Sequence, residues 1–258
     1  MKTTSKKITL TQARKVLSIV DAGLSGGLGS PKPGEMCVEA AVCYALGLPH
    51  GDDPKCVHPT VRRFKISLND RSWSSNAARA RGMRELAIAQ LGTNDPTFDS
   101  KVFVNVLVTE TIRQIVPLAL RALLKLPALA KWHDALEVAS KTCEVTPNLA
   151  AAQAARDLAK KASASDADAS AYAAYAADAS AAAYAYASSA SAASAYAVAA
   201  ANASASSAYA ADASAYASAY ASARDSVLSL CARIGIQALR AGKAHGITLL
   251  DKINKDAA

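Results

Sequence analysis

Ala167-Asp-Ala-Ser-Ala-Tyr-Ala-Ala-Tyr-Ala-Ala-Asp178 opens a tract that runs to Ala223, with alanine at most odd positions and Ser, Tyr, Asp or Asn at most even ones. A period of two is the mark of a strand. Composition points the other way. Alanine is the strongest helix former and a poor strand former, and residues 148–234 contain neither glycine nor proline. The tract predicts helix. A single helix over that interval would approach roughly 130 Å at about 1.5 Å per residue, so a hairpin is expected, folding back near Ser188-Ser189 or Asn202. Small side chains allow close helix approach, and Tyr209, Tyr216 and Tyr220 fall on one face as a packing stripe.

Outward from the tract, 62 of 258 residues are alanine, 39 of them in residues 151–223, so the 52% hydrophobic content is largely methyl groups. Sandwiches, barrels and doubly wound sheets need β-branched and aromatic strands between regular turns, which this composition does not supply. The expected class is all-α: a multi-helix bundle in which the long Ala/Tyr/Ser-rich hairpin packs on shorter amino-terminal helices. All nine prolines lie at or before Pro147. A basic helical region is therefore expected over residues 1–146, and an Ala-rich region with a closing helix over residues 147–258, the two forming one globule.

The shorter helices have legible ends. Thr9 or Thr11 caps one running to about Leu24, Pro33 opens another from about Glu35 to Leu46, His58-Pro59 starts a third, and Ser74 or Ser75 caps a fourth. Pro117 and Pro127 should interrupt a helical stretch from Thr97 to about Ser140. Ser222-Ala-Arg-Asp225 has the form of a capping box for a closing helix that ends near Gly242. The glycine-rich Gly26 to Gly34 segment opens a helix and carries Lys32, as a phosphate cradle would, but it has no Gly-Lys-Ser/Thr ending and follows no strand, so it reads as a flexible connector.

Charge is uneven. Residues 1–150 carry 20 Lys and Arg against 13 Asp and Glu, and residues 151–258 carry 9 against 8. The densest basic run supplies Arg62, Arg63, Lys65, Arg79, Arg81 and Arg84 as a candidate anion- or partner-binding surface, with Phe64 and Trp73 interleaved. A solvated helix face would look the same. Five cysteines without a secretory apolar region point to a reducing cytoplasm. The apolar window Val102 to Lys125 contains Glu110, Arg113 and Arg121, so soluble helices rather than a membrane span are expected.

Residues 36–58 gather thiols, imidazoles and acids. Cys37, Cys43, His50, Cys56 and His58 are candidate zinc ligands by chemical type, although their spacings lack a Cys-x-x-Cys pair. Cys37 near a helix start, with His50 or His58 as base and Glu39 or an aspartate orienting it, is a candidate nucleophilic set. Inert packing of buried cysteines is the alternative. Glu39 among apolar neighbours is expected to accept a hydrogen bond from a backbone amide or an arginine.

The Cys37-Val-Glu-Ala-Ala-Val-Cys43 helix, the Gly47-Leu-Pro-His50-Gly-Asp-Asp53 turn and Trp73-Ser-Ser-Asn-Ala-Ala-Arg79 resemble a family of uncharacterised bacteriophage and bacterial proteins. The Ala/Tyr/Asp tract is similar to that of bacterial immunity proteins, helical proteins that protect a cell by binding a toxin. The first resemblance implies no activity, and the second implies a binding role. The expected function is a noncatalytic helical binding protein in phage-host or toxin-immunity conflict, using its basic amino-terminal surface against a protein partner or an anionic ligand such as a nucleotide or nucleic acid. A cysteine- or zinc-dependent enzyme centred on residues 37–58 is the alternative, and an ice-binding or fibre-forming role for the alanine tract is a third.

Overall fold

The computed structural model describes residues 7–124, 127–163 and 217–257. Among them the fold is all-α, without strands. The helices are α1 (Leu10–Asp21), α2 (Val38–Ala45), α3 (Pro59–Asn69), α4 (Asn76–Ala89), α5 (Ser100–Glu110), α6 (Val116–Leu123), α7 (His133–Val145), α8 (Leu149–Ser163), α9 (Ala217–Ala241) and α10 (His245–Asp256). The expected fold-back at Ser188-Ser189 or Asn202 lies outside the described residues, as does the side-chain stripe of Tyr209, Tyr216 and Tyr220.

The chain groups into two compact units, Met1–Val106 with Ala232–Ala258, and Leu107–Cys231. In the first unit α4 packs against α1 and α10, and α2 packs against α1 and α3. Its core includes Val16, Val20, Val42, Phe64, Leu68, Met83 and Leu86, all without solvent exposure. Phe64 meets Phe103 edge-on with ring centroids 6.3 Å apart. Each such side chain contributes about 1.5–3 kcal/mol of burial. In the second unit α7 packs against α6 and α8, and Arg121 on α6 reaches Glu137 and Glu144 on α7.

Several helix starts follow the local chemistry. Thr9 and Gln12 form a capping box at α1, with the Gln12 amide donating to Thr9 Oγ1 at 3.3 Å and the Thr9 amide donating to Gln12 Oε1 at 2.9 Å. Ser75 Oγ accepts from the Ala78 amide at 3.0 Å, and His58 Nδ1 accepts from the Thr60 amide at 3.2 Å with Pro59 opening α3.

Elsewhere tertiary bonds prevail. The Gly26 to Gly34 segment is no loose connector: Gly29 bridges Met36, the Ser30 amide donates to Glu35 O at 2.8 Å and the Cys37 amide to Leu28 O at 3.2 Å. These bonds delay α2 to Val38, with Cys37 at its N-cap. Gly29 has φ +69°, and a Cβ there would stand 1.9 Å from Glu35 O, so only glycine fits. Ser222 starts nothing, because α9 runs through it; α9 does end beside Gly242 as expected, and a further helix, α10, follows. Pro117 does not split its helix. A π turn, Thr111–Ile115, widens the backbone just before it, and the Val116 amide donates to Thr111 O. Pro127 opens a 3₁₀ segment, Pro127–Trp132. The helical run Ser100–Leu123 is long and apolar enough to cross a membrane by length and composition, but 56% of its most apolar window is buried inside the protein.

Candidate functional site

The residues proposed as one basic surface do not remain together. Lys65 is wholly buried and Arg79 only 8% exposed. Arg79 binds the backbone: Nε donates to Asn69 O at 2.8 Å and Nη1 to Leu24 O at 3.0 Å. It fastens α4 to the segments ending α1 and α3. Arg84 pairs with Asp21 at 2.7 Å, and Arg62 pairs with Asp53. Arg63 and Arg81 are exposed, without an ion pair among the described residues.

The candidate zinc ligands also separate. No three His, Cys, Asp or Glu side chains come close enough to hold a metal ion among the described residues. Cys37 Sγ caps α2, accepting from the Ala40 amide at 3.4 Å, while Cys43 sits a turn and a half further along the same helix. His50 Nε2 meets Gly29 O at 3.1 Å, which assigns the proton to Nε2 because a carbonyl only accepts. Nor does helix α2 activate Cys37. Burial pushes the Cys37 and Cys56 thiols up, and that of Cys43 up to about 11, the reverse of what a thiolate nucleophile requires. Burial lowers His58, whose Nδ1 is committed to capping α3.

Two concave features of the first unit remain. One is a cleft of about 520 Å³ between the α9–α10 turn, the Gly92 to Thr97 segment and Lys7. Arg240 at the end of α9 makes two hydrogen bonds to Asp251 of α10, at 2.8 and 2.7 Å. Lys243 then takes the left-handed conformation, φ 59°, at a position where helices usually place glycine. It turns the chain so sharply that α10 starts at His245 with no side-chain cap from Ala244. His245 Nε2 donates to Ile8 O at 3.1 Å. Asp95 accepts from the Thr97 hydroxyl and amide at 2.6 and 2.9 Å, which hold its carboxyl below the usual carboxylate range. Lys7, Lys243 and the Asp251-paired Arg240 are exposed cations of this cleft. None of Lys7, Arg240, Lys243 or His245 belongs to the basic run singled out in the sequence. The only local signal was Gly242-Lys-Ala-His-Gly246, a glycine-flanked turn without periodicity.

The second feature surrounds Glu39, a candidate orienting carboxylate. Its partner is neither an arginine nor an amide but Lys65 of α3, with Nζ 3.3 Å from Oε1 and both side chains at 0% exposure. The angles fall short of a well-formed hydrogen bond, and no third described group bonds to either carboxylate oxygen or to the ammonium nitrogen. Burial pushes the carboxyl up and the ammonium down, each opposed by the other's charge. A small pocket of about 30 Å³ adjoins Glu39, lined also by Cys37, Asp52, Asn69 and Asp70, with Gly27 and Leu28 at its edge.

Comparison of the chain with protein-family models, with curated proteins and with solved structures finds no match.

Proposed function

We propose that this is a noncatalytic helical binding protein whose first unit contacts an acidic protein partner through the cleft at the α9–α10 turn. Charge partition carries the reading. Residues 1–106 and 232–258 hold 20 Lys and Arg against 11 Asp and Glu, while residues 107–231 hold 9 against 10, so the entire formal excess of +8 belongs to the first unit. Such a field raises encounter rates with acidic surfaces and discriminates among them. Leu28, Tyr44 and Leu48 of the same unit are 44%, 42% and 38% exposed, and exposed apolar side chains suit a protein surface better than a phosphate backbone. Thiols raised by burial weigh against a cysteine-dependent reaction. Five cysteines, none in a disulfide, accord with work in the cytoplasm.

The test is fluorescence anisotropy with a labelled poly-glutamate peptide and a labelled dT oligonucleotide, on the wild type and on Lys7→Glu/Lys243→Glu. The expected result is binding of the acidic peptide that weakens with salt and falls at least tenfold in the double variant, with circular dichroism unchanged. Equal binding by the variant would remove the cleft from the reading. Tighter binding of the oligonucleotide would turn it to nucleic acid.

A further inference from the structure

We propose that the pocket beside Glu39 is a binding site for a protonated primary amine, which takes up the carboxylate oxygen that Lys65 leaves unpartnered. The site is independent of the cleft. Its first argument is the donor and acceptor inventory of the wall. Asn69 spends its Oδ1 on the Val38 amide and its Nδ2 on Ser25 O and Asp70 Oδ1. Asp70 Oδ1 also accepts from the Gly27 amide at 2.8 Å, and Cys37 Sγ accepts from Ala40. The polar groups of the lining with capacity remaining are carboxylates: Glu39, whose oxygens accept from no third group, Asp70, with one oxygen unused, and Asp52. A wall made of acceptors selects a donor.

Charge and size narrow the occupant. Three carboxylates line this pocket within a unit whose overall excess is strongly positive. Facing Glu39 from α3 are Lys65, in contact, and Arg62, already paired with Asp53. The local balance is therefore acidic. A volume of about 30 Å³ accommodates a head of one or two heavy atoms. The carboxylates are too dispersed to coordinate a metal ion together, whereas N–H donors spanning about 2.7–3.2 Å to each acceptor bridge wider separations. Leu28, 44% exposed at the edge, offers an apolar surface for the methylene stem of such an amine, as lysine stems use apolar surface elsewhere.

The ammonium head could belong to a free small amine or to a lysine of a polypeptide, and the experiment separates these sources. Thermal unfolding of the full chain is followed in methylammonium chloride, tetramethylammonium chloride, sodium chloride and Nα-acetyl-lysine amide at equal ionic strength, for the wild type and for Asp52→Asn, whose exposed carboxylate can be neutralised without disturbing the core. The expected result is a concentration-dependent rise in Tm with methylammonium above that in the sodium and tetramethylammonium salts, reduced by at least half in Asp52→Asn. Saturation by the lysine derivative at tenfold lower concentration than methylammonium assigns the site to a partner's lysine. Saturation at similar or higher concentration assigns it to a free amine. A methylammonium effect equal to that of sodium, or one undiminished in Asp52→Asn, overturns the proposal.

Discussion

Lys65→Met leaves the Glu39 carboxylate alone in the core, and Glu39→Leu leaves the Lys65 ammonium alone. Because both side chains are at 0% exposure and no third described residue hydrogen-bonds to either, the protein supplies no dipole in contact to compensate the orphan. Removing one member of a buried ion pair typically costs about 3–5 kcal/mol, a large share of the roughly 5–15 kcal/mol that holds a domain folded. The pH dependence identifies which charge is stranded. A carboxyl whose folded pKa is raised above its unfolded value of 4.5 supports folding below that value and loses this support as pH rises toward the folded pKa. Stability of Lys65→Met should therefore fall from pH 5 upward, with a slope of up to about 1.4 kcal/mol per pH unit. Lys65, depressed below 10.5, behaves oppositely: stability of Glu39→Leu should rise with pH toward that value. The double variant Glu39→Leu/Lys65→Met should lose both slopes and match or exceed the wild type. Urea unfolding at pH 5, 7 and 9, followed by circular dichroism, measures all four proteins. Slopes of the same sign in the two single variants, or losses below about 1 kcal/mol in both, would refute a mutually dependent pair.

Gly246→Ala should lower Tm by several degrees, because its Cβ would meet Ile88 O at 2.2 Å and Ala89 O at 2.6 Å, backbone atoms of α4 that cannot swing aside. Gly47→Ala, with φ +69° and no atom within 4 Å, should cost only the conformational strain, about 1 kcal/mol; differential scanning calorimetry compares them. In timed alkylation read by mass spectrometry, half-buried Cys56 should react before buried Cys37, Cys43, Cys143 and Cys231, and faster as pH rises, since its thiol lies above the ordinary value. Faster labelling of Cys37 would restore it as a nucleophile candidate.

Helix type was legible wherever a local rule governed. Thr9, Ser75 and His58-Pro59 supply their own capping groups, and the structure uses them. Features decided by distant partners were not legible. Arg79 and Lys65 look like their exposed neighbours in the sequence, yet one ties three segments through backbone carbonyls and the other is drawn inward by Glu39, 26 positions away. Periodicity places a side chain on a face but does not say which face a second element covers. Gly242 punctuates helices on either side of it, so it was read as an end, while the spacing of Ile247, Leu250 and Ile253 in the helix beyond went unused.

The first unit is discontinuous in sequence, and synthesis therefore sets the order in which it can be finished. Helix α10 covers α4, and Arg14 pairs with Asp256, yet all of Leu107–Cys231 emerges from the ribosome between them. At about 5–20 residues per second, the amino-terminal helices wait on the order of ten seconds for their last partner. During that wait the groove between Ile88 and Ala89 that later receives Gly246 stays uncovered. A nascent chain halted before residue 232 would already contain Glu39 and Lys65, and would still lack the helix that packs on α4 and α1.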